Sequence, residues 1–213
     1  MTRHAAAPDA PGPTFTAPPP APEPPAVDAF LTAVDQVMNS NTLLLTAAHD
    51  APITVDNRQD VLCAFLRDPL FERLMYAADD RRGWHNLSQS YADQPPERPL
   101  PRAGFRAGLS PLDRAALVAR LRWMLHEGPS PHLRHCSAAR ADALVRDLVR
   151  ELLGADGAAW SFAAVDPDFL RSTGYHTGEE PQRPAYFDGG ASDTATFLYR
   201  DRVFHLLLTN GCP

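Results

Sequence analysis

Residues 194–209 read TATFLYRDRVFHLLLT, a stretch that predicts two strands joined by a tight turn near Arg200-Asp201. Successive side chains of a strand point to opposite faces, so His205 would share a face with Val203 and Leu207. The opposite face would carry three large apolar side chains, Phe204, Leu206 and Leu208. The pattern therefore predicts a β-hairpin near the C-terminus, after a short strand in AWSFAAV at 159–165.

Helical spacing of apolar residues dominates the chain before these strands. The clearest helix is SPLDRAALVARLRWMLHEG at 110–128, in which Ser110 would be the N-cap, Pro111 the first residue and Gly128 the stop. A partner helix is predicted from Ser137 to about Leu153, antiparallel to the first. Shorter helices are predicted to begin at Asp28, after Asp56 or Asn57, and after Pro69.

These elements predict an α+β fold, with a helical body that carries a small C-terminal antiparallel β-sheet. Residues 1–25 contain nine of the 22 prolines and few large apolar side chains. Such a segment buries too little surface to offset the entropy of ordering it. We therefore expect a disordered Pro/Ala-rich tail over 1–25 and a single α+β domain over 26–213.

Composition narrows the class of protein. The net charge is −6, and no basic run could neutralise a row of phosphates, so neither nucleic acid nor an anionic membrane surface is an expected partner. No apolar stretch reaches the roughly 18 residues of a membrane span, and the N-terminus lacks a signal-peptide pattern. Three widely spaced cysteines are typical of reduced thiols. We expect a soluble cytoplasmic protein.

Histidines are the main candidates for chemistry, since phosphate-loop, dinucleotide-binding, nucleophile-elbow and zinc-protease motifs are missing. HEGPSPHLRHC at 126–136 could hold a metal or could simply connect two helices. His205 could be a core residue, or it could act with His85 and with His176, Glu179, Asp188 and Asp193 from the glycine-containing segment 171–193. That segment could equally be a solvated linker.

Four segments, in this order, resemble a bacterial family of domains of unknown function, the one numbered three thousand five hundred. They are RRGWHN at 81–86, RAGFRAGLSPLDRAALVARLRWML at 102–125, ADALVRDLVRELLG at 141–154 and FLYRDRVFHLLLTNG at 197–211. The resemblance spans about residues 60–211. Phe204 replaces the first of the family's paired histidines, so that His205 alone remains, and the family's later histidine-containing segment does not occur before Pro213. The resemblance implies a shortened, divergent member of this family. It says more about the fold than about the reaction.

Two functions follow as hypotheses. The first is a small-molecule enzyme of bacterial specialised metabolism, with His85 and His205 in one pocket as catalytic residues or as ligands of a transition metal. Trp84, His176 and Asp188 would then contact the substrate. The second is a non-catalytic accessory or small-molecule-binding protein that kept the scaffold and lost part of the site. A partner enzyme or a second copy of the chain could accompany either function.

Overall fold

The computed structural model of this chain describes residues 14–19, 21–84, 107–128, 135–154, 157–166, 186–187 and 192–211. The helices in these ranges are α1 (Pro25–Met38), α2 (Arg58–Arg67), α3 (Pro69–Arg82), α4 (Arg114–His126) and α5 (Ala138–Leu153). The strands are β1 (Phe15–Thr16), β2 (Leu43–His49), β3 (Leu109–Leu112), β4 (Ser161–Val165), β5 (Ser192–Arg200) and β6 (Val203–Gly211). A single 3-10 turn, Gly157–Ala159, precedes β4.

The six strands form one antiparallel sheet in the order β1-β2-β6-β5-β4-β3. Its centre is the β5–β6 hairpin, which pairs from Arg200↔Val203 to Ser192↔Gly211. Asp201 in the turn has a left-handed φ of 47°, a conformation that aspartate adopts more readily than most residues. The hairpin and the short strand before it, both predicted from the sequence, are confirmed.

Helices cover both faces of the sheet, so the described part of the chain has three layers and two cores. On one face, α2 and α3 pack against the β6 side chains of Phe204, Leu206 and Leu208. On the other face, α1, α4 and α5 pack against Leu207 of β6 and Leu198 of β5. Successive side chains of β6 therefore point to opposite faces, as predicted, and both faces of this strand are buried.

The predicted fold class, a helical body with a small C-terminal sheet, is wrong. The sheet takes strands from along the chain, and β1, β2 and β3 were not predicted from the sequence; the longest of the three is β2. Its sequence, LLLTAAH, places Leu44 in one core and Leu43 and Leu45 in the other. A strand buried on both faces lacks a clean apolar–polar alternation, and a short apolar run is equally compatible with a buried helix.

The proline-rich N-terminal segment contributes to the described structure. Phe15 and Thr16 pair with His49 and Ala48 at the edge of β2, and the Phe15 ring lies 5.4 Å from the ring of Phe65. Phe15 is 8% exposed and belongs to the core under α2 and α3. The structure thus differs from the predicted disorder at residues 14–19 and 21–25, while residues 1–13 lie outside the described ranges.

Helix α4 begins later than its sequence predicts. Asp113 is the N-cap and accepts a hydrogen bond of 2.7 Å from the Ala116 N–H, whereas Ser110 and Pro111 belong to β3. Proline is tolerated there because β3 is an edge strand, where a missing N–H can face away from the sheet. The predicted start of α5 at Ser137 and the predicted restart of a helix at Pro69 are confirmed, and Ser137 is the N-cap of α5.

Candidate functional site

His205 lies on β6, on the face covered by α1, α4 and α5, and is 9% exposed. Its Nδ1 is 2.9 Å from the Thr46 hydroxyl on the neighbouring strand β2, in direct register with it. Burial lowers the pKa of His205 to about 4, because a protonated ring would lose its hydration without gaining a carboxylate partner. The imidazole is therefore neutral near pH 7.

The aromatic partner of His205 is Trp160, which stands immediately before β4. The two rings are stacked, with centroids 5.1 Å apart and an interplanar angle of 18°. Because β5 separates β4 from β6 in the sheet, the indole crosses over β5 to reach the imidazole. The Trp160 Nε1 atom is buried and has no hydrogen-bond acceptor among the described residues. A buried N–H donor without an acceptor is uncommon, and its usual partner in such a position is a water or a ligand.

Trp160 also lines an open cavity at the end of the sheet, with a volume of about 330 Å³, which we call the Trp160 pocket. Two arginines, Arg58 and Arg114, supply positive charge to it. Its other walls are Val55, Pro111, Leu112, Asp113, Gly157, Ala158, Ser161, Phe162 and Tyr199. The pocket thus combines an aromatic wall and cationic groups in a mostly apolar surround, the composition expected of a site for a small amphipathic molecule.

Gly157 leaves room for one of these cations. A Cβ added to Gly157 would lie 2.7 Å from a terminal nitrogen of the Arg114 guanidinium, closer than a real contact allows. Glycine in the 3-10 turn therefore lets the guanidinium rest directly on the backbone.

The structure brings together only part of the predicted site. Trp84 follows Gly83 at the end of α3, is 39% exposed, and donates its backbone N–H to the Asp79 carbonyl. His85, His176 and Asp188 lie outside the described residues. The shared pocket of His85 and His205 therefore stays a prediction, whereas the ring observed beside His205 is that of Trp160.

Histidines between α4 and α5 make contacts with the backbone. His126 Nδ1 lies 2.7 Å from the Cys136 carbonyl oxygen, and His135 Nδ1 lies 3.0 Å from the His126 carbonyl oxygen. Both contacts are compatible with a simple connection between the two helices. His132 lies outside the described ranges, so both interpretations of this segment stay open. In the described part of the chain, no three side chains of His, Cys, Asp or Glu are placed to hold one metal ion.

A buried polar network connects α1, α3 and the start of β2. Asp35 accepts hydrogen bonds from the Thr42 N–H at 2.7 Å and the Ser40 hydroxyl at 3.1 Å, and forms an ion pair of 2.7 Å with Arg82. The Tyr186 hydroxyl lies between the backbone carbonyls of Asn41 and Leu208 and can donate its one hydrogen to either. Burial, followed by the negative charges of Asp35, Asp193 and Asp79, raises the pKa of Tyr186 well above its usual value. Asp35 and Tyr186 both bond within the protein, which indicates a structural role.

Sequence reasoning missed Trp160, Arg58 and Arg114 as site residues. A tryptophan directly before a strand was visible, but its contact with His205 depends on the order β4-β5-β6 in the sheet. Comparison with family models, curated proteins and solved structures finds no significant match to the chain. No helix within the described ranges is long and apolar enough to span a membrane.

Proposed function

We propose that this chain is a small-molecule-binding protein whose ligand, an organic anion with a flat or apolar body, occupies the Trp160 pocket. The observation that carries the proposal is the buried Trp160 N–H, which lacks an acceptor among the described residues beside a cavity of about 330 Å³. An anionic oxygen would accept from this N–H and would meet the positive charge of Arg58 and Arg114. Charge-assisted hydrogen bonds of this kind are stronger than those between neutral groups.

His205 supports the pocket from behind in this proposal. Its ring stacks on one face of the indole, and its Nδ1 contact with Thr46 fixes its orientation. A neutral imidazole suits this position, because a third cation near Arg58 and Arg114 would be costly to bury. The rotamer of Trp160 is thereby held in place before any ligand arrives, which reduces the entropy that binding must overcome.

The pKa of His205 favours binding over general acid–base catalysis by this residue. An effective proton acceptor has a pKa near the working pH, whereas a group with a pKa of about 4 is a weak base at pH 7. An enzymatic role would then rest on His85, His176 and Asp188, the predicted residues that lie outside the described ranges. The proposal therefore follows the second of the two hypotheses drawn from the sequence, a binding protein.

Aromatic carboxylates test this proposal directly. We expect indole-3-acetate to bind, by isothermal titration calorimetry, more tightly than its neutral amide, because only the carboxylate uses the cationic groups. Trp160→Phe keeps an aromatic ring against His205 but removes the N–H, and should weaken carboxylate binding by about tenfold. Trp84→Phe is the matched control, since Trp84 does not line the pocket, and should bind like the wild type.

Two results would overturn the proposal. One is equal affinity for the carboxylate and the amide, which would mean that the arginines and the indole N–H do not contact the ligand. The other is unchanged affinity in Trp160→Phe, with circular dichroism showing an intact fold.

A further inference from the structure

A second concave surface lies on the outer side of the helical layer, between α4 and α5, and we call it the α4–α5 groove. Its volume is about 410 Å³. Three valines form its apolar floor, Val118, Val145 and Val149. Four arginines and one aspartate stand around this floor, Arg114, Arg122, Arg146, Arg150 and Asp142, and Gly154 closes one end.

The apolar floor exists because α4 and α5 each carry apolar residues both toward the sheet and toward the groove. In α4, Leu117 and Leu121 are buried against the sheet, while Val118 points elsewhere and is 36% exposed. In α5, Val145 and Val149 belong to the core and also reach the groove. Isolated exposed apolar residues are common, but a floor that lies in a concave surface with a charged rim is typical of an interaction site.

The charge of the rim is opposite to that of the whole chain. The net charge of the protein is −6, yet arginines outnumber acidic residues in the groove four to one. Arg122 Nε lies 2.9 Å from Asp142, but this contact lacks hydrogen-bond alignment, because Nε has no acceptor among the described residues. Arg146 and Arg150 both approach Asp147 and remain 66% and 71% exposed. Exposed ion pairs are weak, so these guanidinium groups can exchange partners at little cost.

The spacing of the groove residues indicates what could fill it. Arg114, Val118 and Arg122 follow one another every fourth residue along α4, and Arg146 and Arg150 do so along α5. Fourth residues of a helix lie about 6 Å apart on one face, so the charges lie one turn apart on α5 and two turns apart on α4, where Val118 stands between Arg114 and Arg122. A single anionic head group would engage only one end of such a rim. A helix with acidic side chains at successive turns could engage both sides while its apolar stripe covers the valines.

We propose that the α4–α5 groove docks an acidic amphipathic helix of a partner protein. The proposal goes beyond the Trp160 pocket, because the two cavities share only Arg114 among their described lining residues and the partner is a macromolecule. The attraction of opposite charges would guide the partner helix into the groove and keep it bound. Burial of Val118, which is 36% exposed, would add to the affinity, whereas Val145 and Val149 are already buried.

A designed peptide of about four helical turns provides the test. It carries leucines on one face and glutamates on both sides of that face, and its control has lysines in place of the glutamates. We expect fluorescence anisotropy to show binding of the glutamate peptide by the full chain and none of the lysine peptide. R146E/R150E should weaken binding by at least about tenfold, since attraction becomes repulsion at two positions. Arg140→Glu, on the same helix but outside the groove, should change it less than about twofold.

Further outcomes separate this occupant from others. Binding of the lysine peptide by R146E/R150E would support the proposal, because the charges of both partners are then reversed and attract each other again. Failure of the glutamate peptide to bind, or equal binding by wild type and R146E/R150E, would overturn it. Dodecanoate that binds in the groove when the peptide does not would assign the surface to a small anion instead. A dimer that R146E/R150E abolishes would assign it to a second copy of this chain.

Discussion

Replacement of His205 by glutamine should remove a large part of the pH dependence of stability. Below pH 6.5 the unfolded chain takes up a proton at His205, whereas burial prevents the folded chain from doing so until about pH 4. Unfolding is therefore increasingly favoured as the pH falls through this interval. The contribution is absent above pH 6.5 and amounts to about 2 to 3 kcal/mol of lost stability between pH 7 and pH 4.5.

Urea unfolding followed by far-UV circular dichroism measures this effect. The free energy of unfolding is determined for the wild type and His205→Gln at intervals from pH 7 to pH 4.5, and the two curves are subtracted. The difference isolates His205, because carboxylates that titrate in the same range are present in both proteins. The wild type should lose about 2 to 3 kcal/mol more than the variant over this interval.

Thr46→Val is the matched control. It removes the hydroxyl that lies 2.9 Å from His205 Nδ1 and leaves the number of titratable groups unchanged. It should lower stability by about 1 to 3 kcal/mol at every pH, because a buried polar atom loses its partner, and should retain the slope. A difference between wild type and His205→Gln that does not vary with pH would refute the reasoning, since it would mean that His205 titrates alike in the folded and unfolded chains.

Two further predictions concern the cores, and urea unfolding at neutral pH checks both. Phe15→Ala should destabilise the protein by about 3 to 5 kcal/mol, because the ring packs against Phe65 in the core, and an effect below about 0.5 kcal/mol would mean that β1 does not pack. Leu121→Ala should cost about 2 to 5 kcal/mol, while Val118→Ala, at an exposed position on the same helix, should cost less than about 1 kcal/mol; similar costs would show that the buried face of α4 is misassigned.

Elements with local signals were predictable from the sequence. Helix α5 has a serine cap, an apolar stripe and a glycine stop within one segment, and the β5–β6 hairpin has its turn and both strands within twenty residues. Their stabilising contacts are mostly close in the chain, so composition and spacing suffice. The position of His205 on its strand face was predictable for the same reason.

Elements defined by distant partners were not predictable. Strand β2 forms because it pairs with β6, which lies far along the chain. Ser110 and Pro111 are in a strand because they pair with β4. Taken alone, SPLD resembles a capped helix start at least as well as an edge strand. The same reason explains the site: the His205–Trp160 stack requires the strand order, which no local pattern encodes.

Arg114 borders both the Trp160 pocket and the α4–α5 groove, so its substitution cannot distinguish the two proposals. Its guanidinium lies next to Gly157, beside the pocket. Arg114 is also the first residue of α4, and the following turns of α4 line the groove. A change at this residue would alter the charge of both surfaces at once. Trp160 lines only the pocket, and Arg146 and Arg150 line only the groove, so these are the residues at which failure of one proposal leaves the other standing.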